Sequence, residues 1–216
     1  MLNILNGKAM YDDFFAKGLL KKGVYIPFNE AMCIGGAIGD IFSEEFFRQR
    51  SQMLGVEYED YYKITVISLA PLLNGDSNEI VLWFDGDMFC QINLLTILAY
   101  LDMKGYSGKV IFNLVGGKFE IVSAIQIDFK GYYEIYKRVL IDKTMPEKID
   151  LPIMERGIAL YLSLQKEDNE IARYIKVHSN ENEIELVKGL SGKFCEYGLG
   201  DTQNQDLVNK VKGVDG

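Results

Sequence analysis

Two carboxylates, Asp85 and Asp87, stand where the run V81-L-W-F84 gives way to M88-F-C-Q-I-N-L-L95, a strand-like pattern meeting a helix-like one. Acids this close repel unless they are solvated, protonated or bound to a cation. Three chemistries follow from the pair. It could hold an oxygen-seeking ion such as Mg²⁺, act as an acid and base on a hydroxyl or water, or sit as a solvated loop pair with Asp87 capping the helix. Gln91 comes four residues after Asp87 and shares its helix face, so it would orient Asp87, bond a loop backbone or line a pocket. Asn93 points elsewhere on the wheel and reads as structural.

Other polar residues follow other apolar runs. Asn6 and Gly7 follow L2-N-I-L5, Asn29 and Glu30 follow V24-Y-I-P-F28, and Asn113 belongs to K109-V-I-F-N-L-V115. In an open parallel sheet, ligands bind beyond the carboxyl ends of the strands, where helix N-termini also point. With that direction assumed, Asn6 and Gly7 offer backbone donors, and Asn29, Gln91 and Asn113 join them as ligand-binding residues. Asp85, Asp87 and Glu30 are the catalytic candidates, Glu30 as a spare acid or base, and Asp85 with Asp87 are the metal candidates.

The familiar fingerprints are absent. Gly7-Lys8 lacks the upstream glycine and the Ser/Thr of a phosphate loop, and G35-G-A-I-G39 lacks the order of a dinucleotide loop and reads as an adaptable connection. A single histidine, His178 in a polar run, argues against Ser/His and Cys/His catalysis. Cys33, Cys90 and Cys195 are far apart without CxxC spacing and read as reduced thiols.

The elements that must position these groups alternate. A strand at 2–5 leads to a helix carrying Met10, Phe14, Phe15 and Leu19, then a strand at 24–28 and a glycine-rich loop. Ser43 is a credible N-cap for a helix reaching about Leu54. Residues 58–73 carry helical spacing, yet I64-T-V-I67 is β-branched and Pro71 disturbs a helix, so helix is favoured over a strand at 63–69. Glu79 to Phe84 is apolar enough for a strand covered on both faces. A helix over about 88–102 and a strand at 109–115 follow, and 119–127 adds a strand or a packed loop. The remainder is helical, with Pro152 near the first position of a helix over 151–164 and another helix at 169–177. Tyr132 and Tyr136, four apart, read as core rather than as a stacking surface for nucleic acid.

This alternation predicts an α/β fold: a mostly parallel, doubly wound, Rossmann-like sheet of four or five strands. The expected division is an α/β domain over residues 1–141 holding the cleft and a helical C-terminal region over 142–216. A formal charge of -8 and a pI near 4.8 argue against general nucleic-acid binding. The apolar run 92–101 is about half the roughly 20 residues a membrane span needs. The expectation is a cytoplasmic protein.

The segments L2-N-I-L-N-G-K8, P27-F-N-E-A-M-C-I-G35 and V81-L-W-F-D-G-D-M-F-C-Q-I-N-L-L95 resemble the bacterial family catalogued as domain of unknown function 1835. Asp87, Gln91 and Asn93 fall on the D, Q and N of that pattern. Asp85-Gly86 stands where the family has E-H, Lys8 where it has D, and Cys33-Ile34-Gly35 where it has H-E-G. These departures remove histidines and acids from the cleft. The segment Y197-G-L-G-D-T-Q203 is similar to a family C-terminal segment, with Asp201 in place of a basic residue, which argues against DNA binding there. The resemblance implies the fold and the cleft, and no reaction.

Together these readings lead to an expected small anionic or nucleotide-like ligand, bound at the cleft, with hydrolysis or group transfer as the chemistry of any turnover and a divalent cation as the candidate cofactor. The alternative is a non-catalytic regulatory or protein-interaction module that could self-associate.

Overall fold

The computed structural model describes residues 1–213. Five strands form one sheet in the order β2-β1-β3-β4-β5: β1 Leu2–Leu5, β2 Val24–Pro27, β3 Glu79–Phe84, β4 Lys109–Val115 and β5 Ile121–Gln126. The first four run parallel, and β5 returns antiparallel to β4. Residues 119–127 thus supply a strand, and the fold is α/β with a mostly parallel sheet. Because β4 and β5 are joined by the short turn 116–120, no crossover helix follows β4.

One helix covers one face of the sheet. On it, α1 (Lys8–Ala16) sets Met10 and Phe14 against Leu5 and Val115, with the Phe14 ring edge-on to Trp83 at 5.2 Å. The helix stops at Ala16, so Leu19 falls beyond it, and Phe15 points outward, 70% exposed. The opposite face carries α2 (Glu44–Met53), a segment of α3 (Tyr58–Tyr61) continuing through a π-turn at 62–66 into α4 (Ile67–Leu73), and α5 (Met88–Met103). The ambiguous stretch at 58–73 is therefore helical. Its irregularity has a local cause. Pro71 cannot donate to the ladder, and the Ile64 carbonyl in the widened turn accepts from Asn29 Nδ2 at 2.9 Å and Ser68 Oγ at 2.7 Å.

Helix α5 is the centre of the molecule. All of it except Phe89, Asp102 and Met103 is buried, because the sheet lies beneath it and α6 (Tyr132–Tyr136) and α7 (Pro152–Leu164) lie above. An all-round apolar helix is stable only in such a sandwich. Three further helices, α8 (Glu170–Val177), α9 (Glu183–Lys193) and α10 (Asp201–Lys212), complete the C-terminal region. One core runs from Leu2 to Val208, on both sides of residue 142, where residues 132–141 and 152–164 are alike helical. No helix among the described residues is long and apolar enough to cross a membrane.

Candidate functional site

The order β2-β1-β3 means that the chain leaves β1 toward one edge and later returns to β3 on its other side. Such a reversal opens a crevice between the carboxyl ends of the two strands. Asn6, Gly7, Asp85 and Asp87 lie at these ends, as the sequence predicts. Helix α1 starts there at Gly7, whose φ of 85° favours glycine, and no side chain caps it. Apart from the adjoining backbone and its chain neighbours, no heavy atom lies within 4 Å of where a Gly7 side chain would begin, and the first turn holds no acid. The Asn6 and Gly7 N–H groups are taken, by the Trp83 carbonyl at 3.1 Å and the Leu5 carbonyl at 2.8 Å, which corrects the expectation that these two offer backbone donors; what remains at this turn is the uncapped first-turn N–H groups from Lys8 to Met10 and the positive end of the helix dipole. Lys8 sits beside them, exposed and paired to Asp12 at 2.7 Å.

Asp87 caps α5: its Oδ1 accepts from the Cys90 N–H at 2.7 Å. Its Oδ2 accepts from the Cys90 thiol at 3.3 Å, and the same sulfur accepts from Asn6 Nδ2 at 2.8 Å. Asn6 Oδ1 accepts from Asn93 Nδ2 at 2.9 Å, and that amide group also donates to the Glu30 carbonyl at 2.8 Å while its oxygen accepts from Met32 N at 2.9 Å. A buried polar chain thus ties the ends of β1, β2 and β3 to one helix. Cys90 and Asn93, read from sequence as a bland thiol and a structural amide, are links in it. Their i, i+3 spacing on a helix buried all round was the available signal, since a buried amide needs partners.

Burial pushes the Asp87 carboxyl above the usual carboxylate range; the Cys90 N–H and thiol oppose this, and Asp85 adds to it. The Cys90 thiol is pushed well up, first by burial and then by Asp87. A carboxyl raised on folding contributes stability below its unfolded pKa and loses it as pH rises through the folded value. Ionised Asp87 therefore costs stability at neutral pH. Asp87→Asn keeps a capping oxygen and removes that charge. The expected outcome is a higher denaturation midpoint at pH 7 that converges on wild type below about pH 4, where both forms are neutral; a lower midpoint at neutral pH counts against it.

The other predicted residues are placed differently. Both oxygens of Glu30 are occupied: Arg50 Nη2 donates to Oε2 at 2.9 Å and Nε to Oε1 at 3.2 Å, Ala31 N donates to Oε2 at 2.8 Å, and the Tyr61 hydroxyl donates to Oε1. The carboxylate is fully buried, so it anchors the loop and is not a spare acid or base. Arg50 fixes the rest of that loop through the carbonyls of Ala31, Ile34 and Gly36, which corrects the expectation of an adaptable connection. Asn29 is turned to the π-turn: its side chain bonds Ile64, and its carbonyl accepts from Thr65 Oγ1 at 2.8 Å. Asn113 is another correction. It lies inside β4 opposite Trp83 and Ala124, two residues short of the strand's end, and so does not reach the crevice.

The C-terminal region roofs the Asp85–Asp87 side. Gln91 donates from Nε2 to the Asp85 carbonyl at 2.6 Å, while its Oε1 is buried without a partner. Gly157 of α7 passes directly over Gln91, where an added Cβ would stand 2.7 Å from the Gln91 Cβ, and Ile153 covers Gly86. Gly198, with φ 65°, lies so tightly on the Asp87 carboxyl that no side chain fits. No local pattern announced Gly198 as part of the site.

Among the described residues no group of three or more His, Cys, Asp and Glu converges as metal ligands. Asp87 is committed to its cap and to Cys90, and Asp85 Oδ1 accepts from the Gly86 N–H. A concavity of about 790 Å³ does exist, but at the amino ends of the strands, lined by Leu2, Ile80, Tyr100, Lys104 and Lys109 among others. Helices α4 and α5 both finish there, and their carbonyl ends disfavour an anion. Comparison with known protein families, with curated proteins and with solved structures finds no match.

Proposed function

We propose that this protein binds a small anionic, nucleotide-like ligand between the carboxyl ends of β1 and β3. The observation that carries the reading is the uncapped start of α1 at Gly7, open to solvent at the point where the strand order reverses. Amides there would take a phosphate or carboxylate, and Lys8 would exchange Asp12 for it. Asn6 would be held in place by the Cys90–Asn93 chain. Turnover is not part of this reading, because Glu30 and Asp87 are engaged in the fold. Resemblance to the family of unknown function 1835 is consistent with the cleft but adds no reaction.

Thermal denaturation in the presence of inorganic phosphate, nucleotides and sugar phosphates tests it. A ligand at a hundred times its Kd stabilises by about 2.7 kcal/mol. The stabilisation should vanish in Gly7→Val, which fills the open space, and fall in Lys8→Ala. Lys137→Ala, in the turn that follows α6, should leave it intact. Equal shifts in all three variants, or none with any anion in the wild type, would reject the site.

A second reading, a non-catalytic interaction module, is favoured by one observation: every residue of β5 is exposed.

A further inference from the structure

We propose that Lys143 and Tyr161 form a carbonyl-capturing pair, in which Lys143 Nζ condenses with a small aliphatic aldehyde to an imine and the Tyr161 hydroxyl delivers the proton the reaction needs. The pair does not depend on the binding site at Gly7.

The backbone builds the amine into its place. Lys143 lies just past the helical turn 137–141, where the Thr144 N–H closes on the Arg138 carbonyl at 2.8 Å. Its φ of 53° is a left-handed conformation that favours glycine. Here a long side chain stands in that position and turns inward. Lys143 Nζ donates to the Tyr161 hydroxyl and lies 4.9 Å from the centre of the Tyr161 ring.

The surroundings of this amine differ from those of its neighbours. Lys137 and Lys148 pair with Glu134 and Asp150, both at 2.6 Å, whereas Lys143 has no carboxylate partner among the described residues. An ammonium that faces a neutral phenol loses solvation, and the ring face restores only part of it. Burial first, and then the like charge of Arg50, hold the Lys143 ammonium below the usual lysine range, so more of it is free amine at neutral pH. The residue is exposed and its bond to Tyr161 only partly buried, so a small molecule reaches the nitrogen.

Tyr161 itself is fully buried. Burial and then Cys33 push its hydroxyl up, with Arg50 opposing, so it keeps its proton and serves as an acid. A free amine beside a protonated hydroxyl matches a carbonyl group, whose carbon takes the nitrogen lone pair while its oxygen needs a proton. Ile141 and Met145, two residues to either side of Lys143, are 41% and 42% exposed, which suits an aliphatic body.

The steps balance. The Nζ lone pair forms the C–N bond as the carbonyl π pair moves to oxygen, which takes the Tyr161 proton, and the phenolate then removes a proton from nitrogen. Tyr161 next protonates the carbinolamine hydroxyl, which leaves as water, and the last nitrogen proton returns to the phenolate. Amine and aldehyde give imine and water, with nothing oxidised or reduced.

Propanal with cyanoborohydride, applied to the full chain at neutral pH and followed by peptide mass mapping, tests the pair. Lys143 should be alkylated about tenfold faster than the other lysines, the factor that one unit of amine pKa supplies. Tyr161→Phe keeps the ring and removes the acid, and should bring Lys143 down to the rate of the other lysines. In the same variant the rate of Lys143 with an N-hydroxysuccinimide ester, which needs no acid, should change by less than about twofold. Should Tyr161→Phe fail to fold, the wild type decides: the lead of Lys143 over the other lysines should be larger toward propanal than toward the ester. A Lys143 no faster than the other lysines, a Tyr161→Phe protein that reacts like wild type or loses both reactions alike, or equal leads toward the two reagents overturns the proposal.

Discussion

Arg50→Met is expected to lower stability by about 3–5 kcal/mol, because removing one partner strands a buried charge. For a chain of this size that corresponds to a fall in the thermal midpoint of roughly 6–20 °C. The Glu30 and Arg50 side chains are 0% and 1% exposed, so neither water nor salt can replace the lost partner. The damage extends to the loop, since the carbonyls of Ala31, Ile34 and Gly36 lose their donors at the same time. Combining Arg50→Met with Glu30→Gln removes the stranded charge; the amide oxygen can still accept from Ala31 N, and the amide NH2 can donate to the Tyr61 hydroxyl oxygen, reversing that bond. The double variant should recover about half of the loss, the remainder belonging to the three carbonyls. Denaturant titration of the four proteins measures this coupling; purely additive losses would show that the pair is not coupled. Arg50→Met should also raise amide exchange across residues 31–36 if Arg50 holds the loop.

Gly198→Ala is the second large effect, expected at about 2–4 kcal/mol, from a positive φ and an overlap with the Asp87 carboxyl. The two causes can be separated. An alanine at φ 65° costs about 1 kcal/mol wherever it occurs, whereas the overlap requires Asp87. Gly198→Ala in an Asp87→Ala background should therefore cost only about 1 kcal/mol. The segment cannot simply retreat, because Tyr197 is anchored to Glu170 at 2.7 Å and Asn204 holds the Leu199 carbonyl at 3.3 Å. Identical losses in both backgrounds would mean that Gly198 does not close on Asp87.

The two variants probe the two sides of the same crevice. On the β2 side a buried ion pair fixes the loop, and on the β3 side the C-terminal region closes over the helix cap. Between them, the β1–α1 junction at Gly7 is the place left open. Rigid walls beside an uncapped helix start are what the proposed binding site relies on, because less ordering is needed when a ligand arrives.

The sequence by itself determined the parts that depend on neighbours along the chain. Continuous apolar runs at Leu2–Leu5 and Glu79–Phe84 can be satisfied only by strands buried on both faces. Ser43 and Asp87 each cap a helix where they were legible as caps, since capping uses a side chain and an N–H three residues away. Alternation then gave the parallel sheet, and with it the crevice between Asn6 and Asp87. What tertiary structure decided involves partners far apart in sequence. Glu30 meets Arg50 and Tyr61, Asn93 meets Asn6, and Gly198 meets Asp87 across more than half the chain. The antiparallel course of β5 likewise follows from register. No short window can encode such pairings, because each side chain's role is set by what the fold brings opposite it.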